Sequence, residues 1–336
     1  MSGQIWSVAD EGGYMWAPNL SDYLRLQNLP VVKWRQLCDV RENDADGKPL
    51  IGKSRGEKWY WNVYNKLAVK GRALDETERM PESGFKVAQY SGTMTEYGQA
   101  VPYTGKLDDL SEQPIKEIIR KLLKIDVAET FDVAAWAQFN QTPLRVAPLS
   151  GSSATALDVL VTNGTSTVTN NVAFGKGHVE PISTLMKERG IPAYEAGDYL
   201  AVARPSTFVQ LKSDLEGIQT YTETGLAQIK NGEIGRYRGI RFIEQTHIPA
   251  GGAADSTTFN PQTGTADVWN NAKSDWIFFM GADTVAEGIA IPEEIRGKIP
   301  DDYGRGRGIA WYALEGFGLS HPNAADSRVI KWDSAA

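Results

Sequence analysis

The chain has 336 residues, 41% of them apolar and 23% charged, enough to bury a sizeable core in one large domain or two and too apolar for wholesale disorder. Its formal charge of −7 argues against wrapping nucleic acid, which needs a phosphate-neutralising basic surface; enclosing nucleic acid without gripping it stays open. A single cysteine, Cys38, excludes an intramolecular disulfide framework and a cysteine-rich zinc site, and reads as a small buried apolar residue.

The start, MSGQIWSVADEGGYMW, has neither the basic nor the apolar region of a secretory signal. No apolar run approaches the roughly 18 residues of a membrane span, and WIFFM at 276–280 is too short. A soluble protein of a reducing compartment is expected. Residues 1 to about 50 carry anchors such as Trp6, Tyr14, Trp16, Leu20, Tyr23 and Trp34 without sustained periodicity. Such a segment is either an arm lying across another surface or a lid on its own core.

Residues 57–67 alternate as a half-buried strand, with Trp59, Trp61, Val63 and Leu67 on one face and Lys58, Tyr60, Asn62, Tyr64 and Lys66 on the other. A charged stretch, KGRALDETERMPESG, leads to a second strand-like run from Phe85 to about Tyr103. Together they predict a long β-hairpin with a polar tip. A lone hairpin is barely stable in water, so this one must lie on its own chain or on a neighbour. Residues 111–139 give the strongest helix signal, with Ser111 as N-cap and a wide stripe including Ile115, Ile119, Leu123, Phe131 and Phe139, about 40 Å long.

The Ser/Thr/Asn/Gly-rich stretch 148–177 predicts a long loop or a short-stranded excursion. A helix is expected at about 179–189, a strand at 198–204, a helix opened by Pro205, and a glycine turn leading into a strand within 231–249. A Gly/Ala/Thr loop at 250–266 precedes strands near 275–291, 307–319 and 328–333. Without regular βαβ alternation the class is α+β.

Gly47-Lys-Pro-Leu-Ile-Gly-Lys-Ser54 spells G-x-x-x-x-G-K-[ST], a phosphate-cradling pattern. A working phosphate loop joins a buried strand to a helix N-terminus. Here the polar DVRENDAD precedes the motif and a strand pattern follows, so it reads as a coincidence of spelling. Gly232, Gly235 and Gly239 in GEIGRYRGIRF lack dinucleotide spacing and mark a turn. His178, His247 and His321 have no second ligand at i+3 or i+4 and read as surface or loop residues. The acid pairs 108–109, 293–294 and 301–302 read as helix starts and solvated loops. YGRGRGIAWY has too few arginines for a nucleic-acid site. No catalytic residue, cofactor site or metal site is expected.

The order of parts, carried by TMTEYGQAVPYT (93–104), the long helix behind it, YLAVARPSTFVQLKSD (199–214) and NGEIGRYRGIRFIEQ (231–245), resembles the major capsid proteins of tailed bacteriophages with the Hong Kong 97-type fold. It looks closest to their podophage branch and covers most of residues 55–333. The resemblance implies an N-terminal arm at 1–54, an extended hairpin (E-loop) at 55–107, and a peripheral (P) domain at 108–190 with its spine helix at 111–139. It places most of an axial (A) domain at 191–270, with strands at 271–336 returning to the P domain. It implies an icosahedral shell of pentamers and hexamers, assembled in the host cytoplasm, enclosing double-stranded DNA without sequence-specific binding. Portal, scaffold or decoration proteins would be its other partners. Trp6, Trp16, Trp59, Trp61, Tyr64, Glu78, Arg79 and Glu82 become candidate subunit-interface residues, with the tip acids Asp75 and Glu76 beside them. A cellular nanocompartment (encapsulin-like) shell protein and, more distantly, a P-loop nucleotide-binding enzyme are the competing readings.

Overall fold

YLAVA at 199–203 and WIFFM at 276–280 are unbroken apolar runs, and strands made of such runs need cover on both faces. In the structure, a computed structural model, both find it. Residues 32–40, 56–67, 69–76, 79–148, 157–161, 173–195, 197–219, 235–247, 275–300 and 302–334 are described.

The first half contains strands β1 (Asp39–Val40), β2 (Lys58–Tyr64), β3 (Val87–Thr93) and β4 (Thr95–Thr104), then helices α1 (Gly105–Leu110) and α2 (Ile115–Asn140). Next come β5 (Leu144–Pro148), β6 (Leu157–Val161), α3 (Lys176–Glu188), β7 (Tyr199–Ala203) and α4 (Val209–Gln219). The rest is β8 (Arg236–Tyr237), β9 (Ile240–Glu244), β10 (Asp275–Met280), β11 (Val285–Gly297), β12 (Gly306–Leu319) and β13 (Val329–Ser334). The class is α+β, as expected.

The two apolar runs are interior strands of a seven-stranded sheet ordered β6-β5-β13-β10-β7-β9-β8. β10 is antiparallel to β13 and β7, while β13 runs parallel to β5 and β7 parallel to β9. Successive side chains alternate between two cores. Tyr199, Ala201, Ile277, Phe279, Ile330 and Trp332 pack with Val179, Ile182 and Met186 of α3 and Leu211 and Leu215 of α4. Leu200, Val202, Phe278, Met280 and Val329 join the core that contains α2.

The 26 residues of α2 span about 39 Å. The helix links that core to a second, four-stranded sheet, β1-β11-β12-β4. There the Phe131 ring stands 5.3 Å from Tyr97, 5.7 Å from Trp311 and 6.2 Å from Phe317. Trp311 Nε1 donates to Asp126 Oδ2 at 2.7 Å, so the indole is buried with its polar edge satisfied. Trp34, just ahead of β1, is buried between Phe139 and Phe278, with ring centroids 5.2 and 5.0 Å away.

Several expectations need correction. The long helix begins at Ile115, because Ser111 closes α1, its N–H donating to the Leu107 carbonyl, and its Oγ accepts from Gln113 N in a turn before Pro114. The run 85–103 is two strands. Met94 is buried between them, its N–H donates to the Glu57 carbonyl at 2.8 Å, and β4 leaves the hairpin to pair with β12. Pro205 opens a hydrogen-bonded turn, and α4 starts only at Val209. The pair 293–294 lies on strand β11.

The three histidines are not on the surface. His178 is buried, its Nδ1 accepting from Gly175 N at the start of α3. His247 meets Asp132, and His321 is buried beside Asp283. Cys38 is half-buried instead of fully enclosed. Gly235 and Gly239 adopt φ of +87° and +78°, the turn geometry expected of them. Gly232, the GKPLIGKS stretch, and residues 149–156, 162–172 and 248–274 lie outside the described residues.

Candidate functional site

β2 and β3 form a two-stranded antiparallel sheet, with Trp59 opposite Gly92 and Trp61 opposite Tyr90. The alternation read from sequence puts both tryptophans on one face, and the structure shows what receives it. Trp59, 5% exposed, packs with Met94 and Ala286 of its own chain. Trp61 is half-buried, lies tilted against Trp59 with ring centroids 4.8 Å apart, and donates from Nε1 to the Ser320 carbonyl at 3.0 Å.

Glycines make the seats. A Cβ on Gly92 would lie 2.4 Å from Trp59 Nε1, and one on Gly318 would lie 2.7 Å from the Trp61 ring. Trp59 is thus covered by its own chain, and Trp61 is covered by it in part. The signal in the sequence was the glycines of SGT (91–93) and GFG (316–318), which leave room for a large ring.

The distal part of the hairpin is different. From Asn65 to Lys86 no strand forms among the described residues, and nearly all of them are exposed. Large apolar side chains there have little cover: Tyr64 is 69% exposed, Met80 68% and Phe85 68%, with Leu67, Val69 and Leu74 also exposed. Tyr64 and Phe85 touch only loosely across the hairpin, with centroids 6.4 Å apart. Arg79 and Glu82 form an exposed i,i+3 ion pair at 3.4 Å, worth little in water. Asp75 and Glu76 are exposed beside them. Tyr64, Arg79 and Glu82 are therefore all exposed, while Trp6, Trp16 and Glu78 lie outside the described residues. The sequence pattern put Leu67 on the covered face with Trp59, but β2 ends at Tyr64 and leaves Leu67 exposed; Met80 and Phe85 were passed over because charged neighbours masked them.

A recess of about 590 Å³ lies between the hairpin and α2, lined by Tyr60, Trp61, Tyr90, Tyr97, Gln138 and Phe317 among others. Its groups are hydroxyls, amides and rings, and burial pushes the Tyr97 hydroxyl above its ordinary value. Nothing in that lining is a nucleophile paired with a base. Among the described residues no group of three or more His, Cys, Asp or Glu side chains is placed to hold a metal, and no helix is long and apolar enough to cross a membrane. Arg307 of the glycine–arginine stretch is engaged with Asp108, and Arg305 with Asp302.

Residues 89–326, well over half of the chain, match the family described as phage capsid protein. No curated protein matches the chain in sequence. In structure it is similar to the capsid of Ralstonia phage GP4, at 14% identity over 98% of both chains with a TM-score of 0.64. It is likewise similar to the capsid of cyanophage P-SCSP1u, at 12% identity over 96% of this chain and 93% of that one with a TM-score of 0.63. The capsid asymmetric unit of cyanophage Pam1 matches at 13% identity over 98% of both chains, with a TM-score of 0.61. At such identities the likeness concerns the fold.

Proposed function

This chain belongs to the phage capsid protein family and is a shell-forming structural protein, not an enzyme; we propose that it adopts the Hong Kong 97-type arrangement and docks its hairpin on the adjacent subunit. In this reading residues 1–54 are the arm and 55–107 the E-loop. Residues 108–190 form the P domain around α2 as spine, 191–270 most of the A domain, and 271–336 return to the P domain.

The observation that carries the reading is the concentration of Tyr64, Leu67, Val69, Leu74, Met80 and Phe85 on one exposed segment. Scattered exposed apolar residues need no explanation, but a cluster on one projecting segment marks a binding surface. The charged residues among them, Asp75, Glu76, Arg79 and Glu82, suit the rim of such a contact, setting register more than affinity. Trp6, Trp16 and Glu78 are assigned to the same inter-subunit contacts. Pentamers and hexamers close the shell, a portal and scaffold or decoration proteins are further partners, and assembly takes place in the host cytoplasm. The acidic balance of the chain suits a container for double-stranded DNA, because a wall that bound phosphate tightly would hinder filling and release.

The test is a double substitution, Met80→Ser with Phe85→Ser, which alters no buried side chain. The isolated subunit should keep its unfolding temperature while shells, counted by electron microscopy and sedimentation, fail to form. Normal shells from the variant would refute docking through this surface. DNA released on heating wild-type particles would separately confirm the genome as cargo.

A further inference from the structure

β11 and β12 are joined by an exposed turn. Ile295, Ile299 and Tyr303 lie open on it, Ile299 being 87% exposed and Tyr303 completely so. The backbone there is strained. Asp302, Tyr303 and Gly304 follow one another at φ of +48°, +55° and +88°, a left-handed conformation that is uncommon for the two residues with side chains. The turn is fixed all the same. Arg305 N donates to the Asp302 carbonyl at 3.0 Å, Gly105 N of α1 to the Arg305 carbonyl at 2.8 Å, and Lys298 N to the Gly308 carbonyl at 2.9 Å. Strain that the surroundings hold in place clusters at binding sites. Here it holds out a tyrosine ring with no cover.

The chain thus exposes two apolar clusters, this turn and the distal hairpin with Leu67, Met80 and Phe85. Both are open to solvent, so within one subunit neither covers the other. Their charge balance is opposite. Residues 75–82 hold four acids and one arginine, while 294–307 hold four cations and three acids. Hairpin on hairpin would set acid against acid, and turn on turn would leave the hairpin's apolar side chains uncovered. Hairpin on turn covers both and opposes unlike charges.

The two clusters start from different places. The hairpin root is seated where Trp61 donates to the Ser320 carbonyl and its ring lies against Gly318, whereas the turn precedes Gly306. The 14 residues of β12 between them span about 45 Å. Surfaces that match each other from separate places on one molecule make a head-to-tail contact, which closes into a ring when the rotation allows. Given that the hairpin docks on a neighbour, the reading on which this rests, we propose that the β11–β12 turn is the surface of the adjacent subunit that receives it. Ile299 and Tyr303 pack among Leu67, Met80 and Phe85, and Lys298 and Arg305 face Asp75 and Glu76.

Two variants that change only exposed side chains test this in the full-length protein. Met80→Ser with Phe85→Ser removes the hairpin side of the contact, and Ile299→Ser with Tyr303→Ser removes the turn side. Each variant alone should unfold at the wild-type temperature and stay monomeric in sedimentation velocity where wild type assembles. Mixed in equal amounts they should form a heterodimer and stop there, because the turn of the first still receives the hairpin of the second while the reverse contact is lost. Wild-type assembly by the turn variant overturns the proposal and leaves hairpin docking standing. Wild-type assembly by the hairpin variant overturns both. Partial association of the hairpin variant alone shows that turns meet turns, and a mixture that stays monomeric shows that the two surfaces are not partners; either result overturns the proposal. Should the double substitution in the turn fail to fold, Ile299→Asp changes a single side chain that is 87% exposed and sets a negative charge against Asp75 and Glu76. It should assemble poorly at low salt and better at high salt, where the repulsion is screened. Assembly like that of wild type at low salt overturns the proposal.

Discussion

Trp59 and Gly92 face each other across the hairpin so closely that a single methyl on the glycine would meet the indole nitrogen at 2.4 Å. Gly92→Ala must therefore displace a buried ring or bend β3. Overpacking of this kind costs about 1–3 kcal/mol. Urea titration of the isolated subunit should show a lower midpoint with an unchanged slope; an unchanged midpoint would mean that the ring has room to move.

Trp59→Ala should destabilise the isolated subunit by about 3–5 kcal/mol, the range for emptying a buried aromatic site. The ring is covered by its own chain, so the loss appears in a thermal melt of the subunit before any shell is formed. A variant that melts normally and fails only in assembly would restore the neighbour as the covering surface.

Asp132→Ala takes the acceptor from Trp34 N, a buried donor, and from His247. An unmet buried donor costs about 1–3 kcal/mol. The loss should be local, with faster hydrogen exchange at 34–38 and little change in the seven-stranded sheet. Uniform acceleration across both sheets would show that this contact supports the whole fold.

Lys331 is buried, with Nζ 2.7 Å from Asn140 Oδ1 and 4.0 Å from the Trp276 ring, and burial pushes its pKa down to about 7. The unfolded chain, titrating near the ordinary value of 10.5, binds that proton more tightly than the folded one. Stability attributable to this group rises with pH between about 7 and 10.5. The stability of wild type minus that of Lys331→Met should therefore increase from pH 7 to pH 10. A difference independent of pH would show that the ammonium stays charged inside.

Lys53→Ala should change stability by no more than about 0.5 kcal/mol, as surface substitutions usually do, and calorimetry with ATP should give no heat of binding for either protein. ATP binding lost on substitution would make the GKPLIGKS motif a real phosphate site.

Legibility followed the range of the determining interactions. The strands at 275–280, 306–319 and 329–334 and most of α2 could be read from periodicity, because local pattern and tertiary burial agree there. Where the hairpin lies could not. Alternation says that Trp59 and Trp61 share a face, but the surface that receives them is made by Met94, Ala286 and Ser320, up to 259 residues away. The contacts of Arg35 with Glu287 and Glu315 were invisible for the same reason, those buried carboxylates lying 252 and 280 residues downstream. His178 and His321 were not read as buried because their tertiary surroundings enclose them, and no short spacing encodes that.

The position of β13 sets an order of events during synthesis. Residues 329–334 fill the place between β5, made from 144–148, and β10, made from 275–280. On the ribosome, a nascent chain that has not yet released them holds β6–β5 and β10–β7–β9–β8 as two unjoined ribbons with a gap where Ile330 and Trp332 belong. Pairing across such sequence distances is slow, because loop closure precedes the contacts that reward it. A subunit thus completes this sheet only after residues 329–334 have left the ribosome, and a product that stops before them lacks the strand that joins its two ribbons.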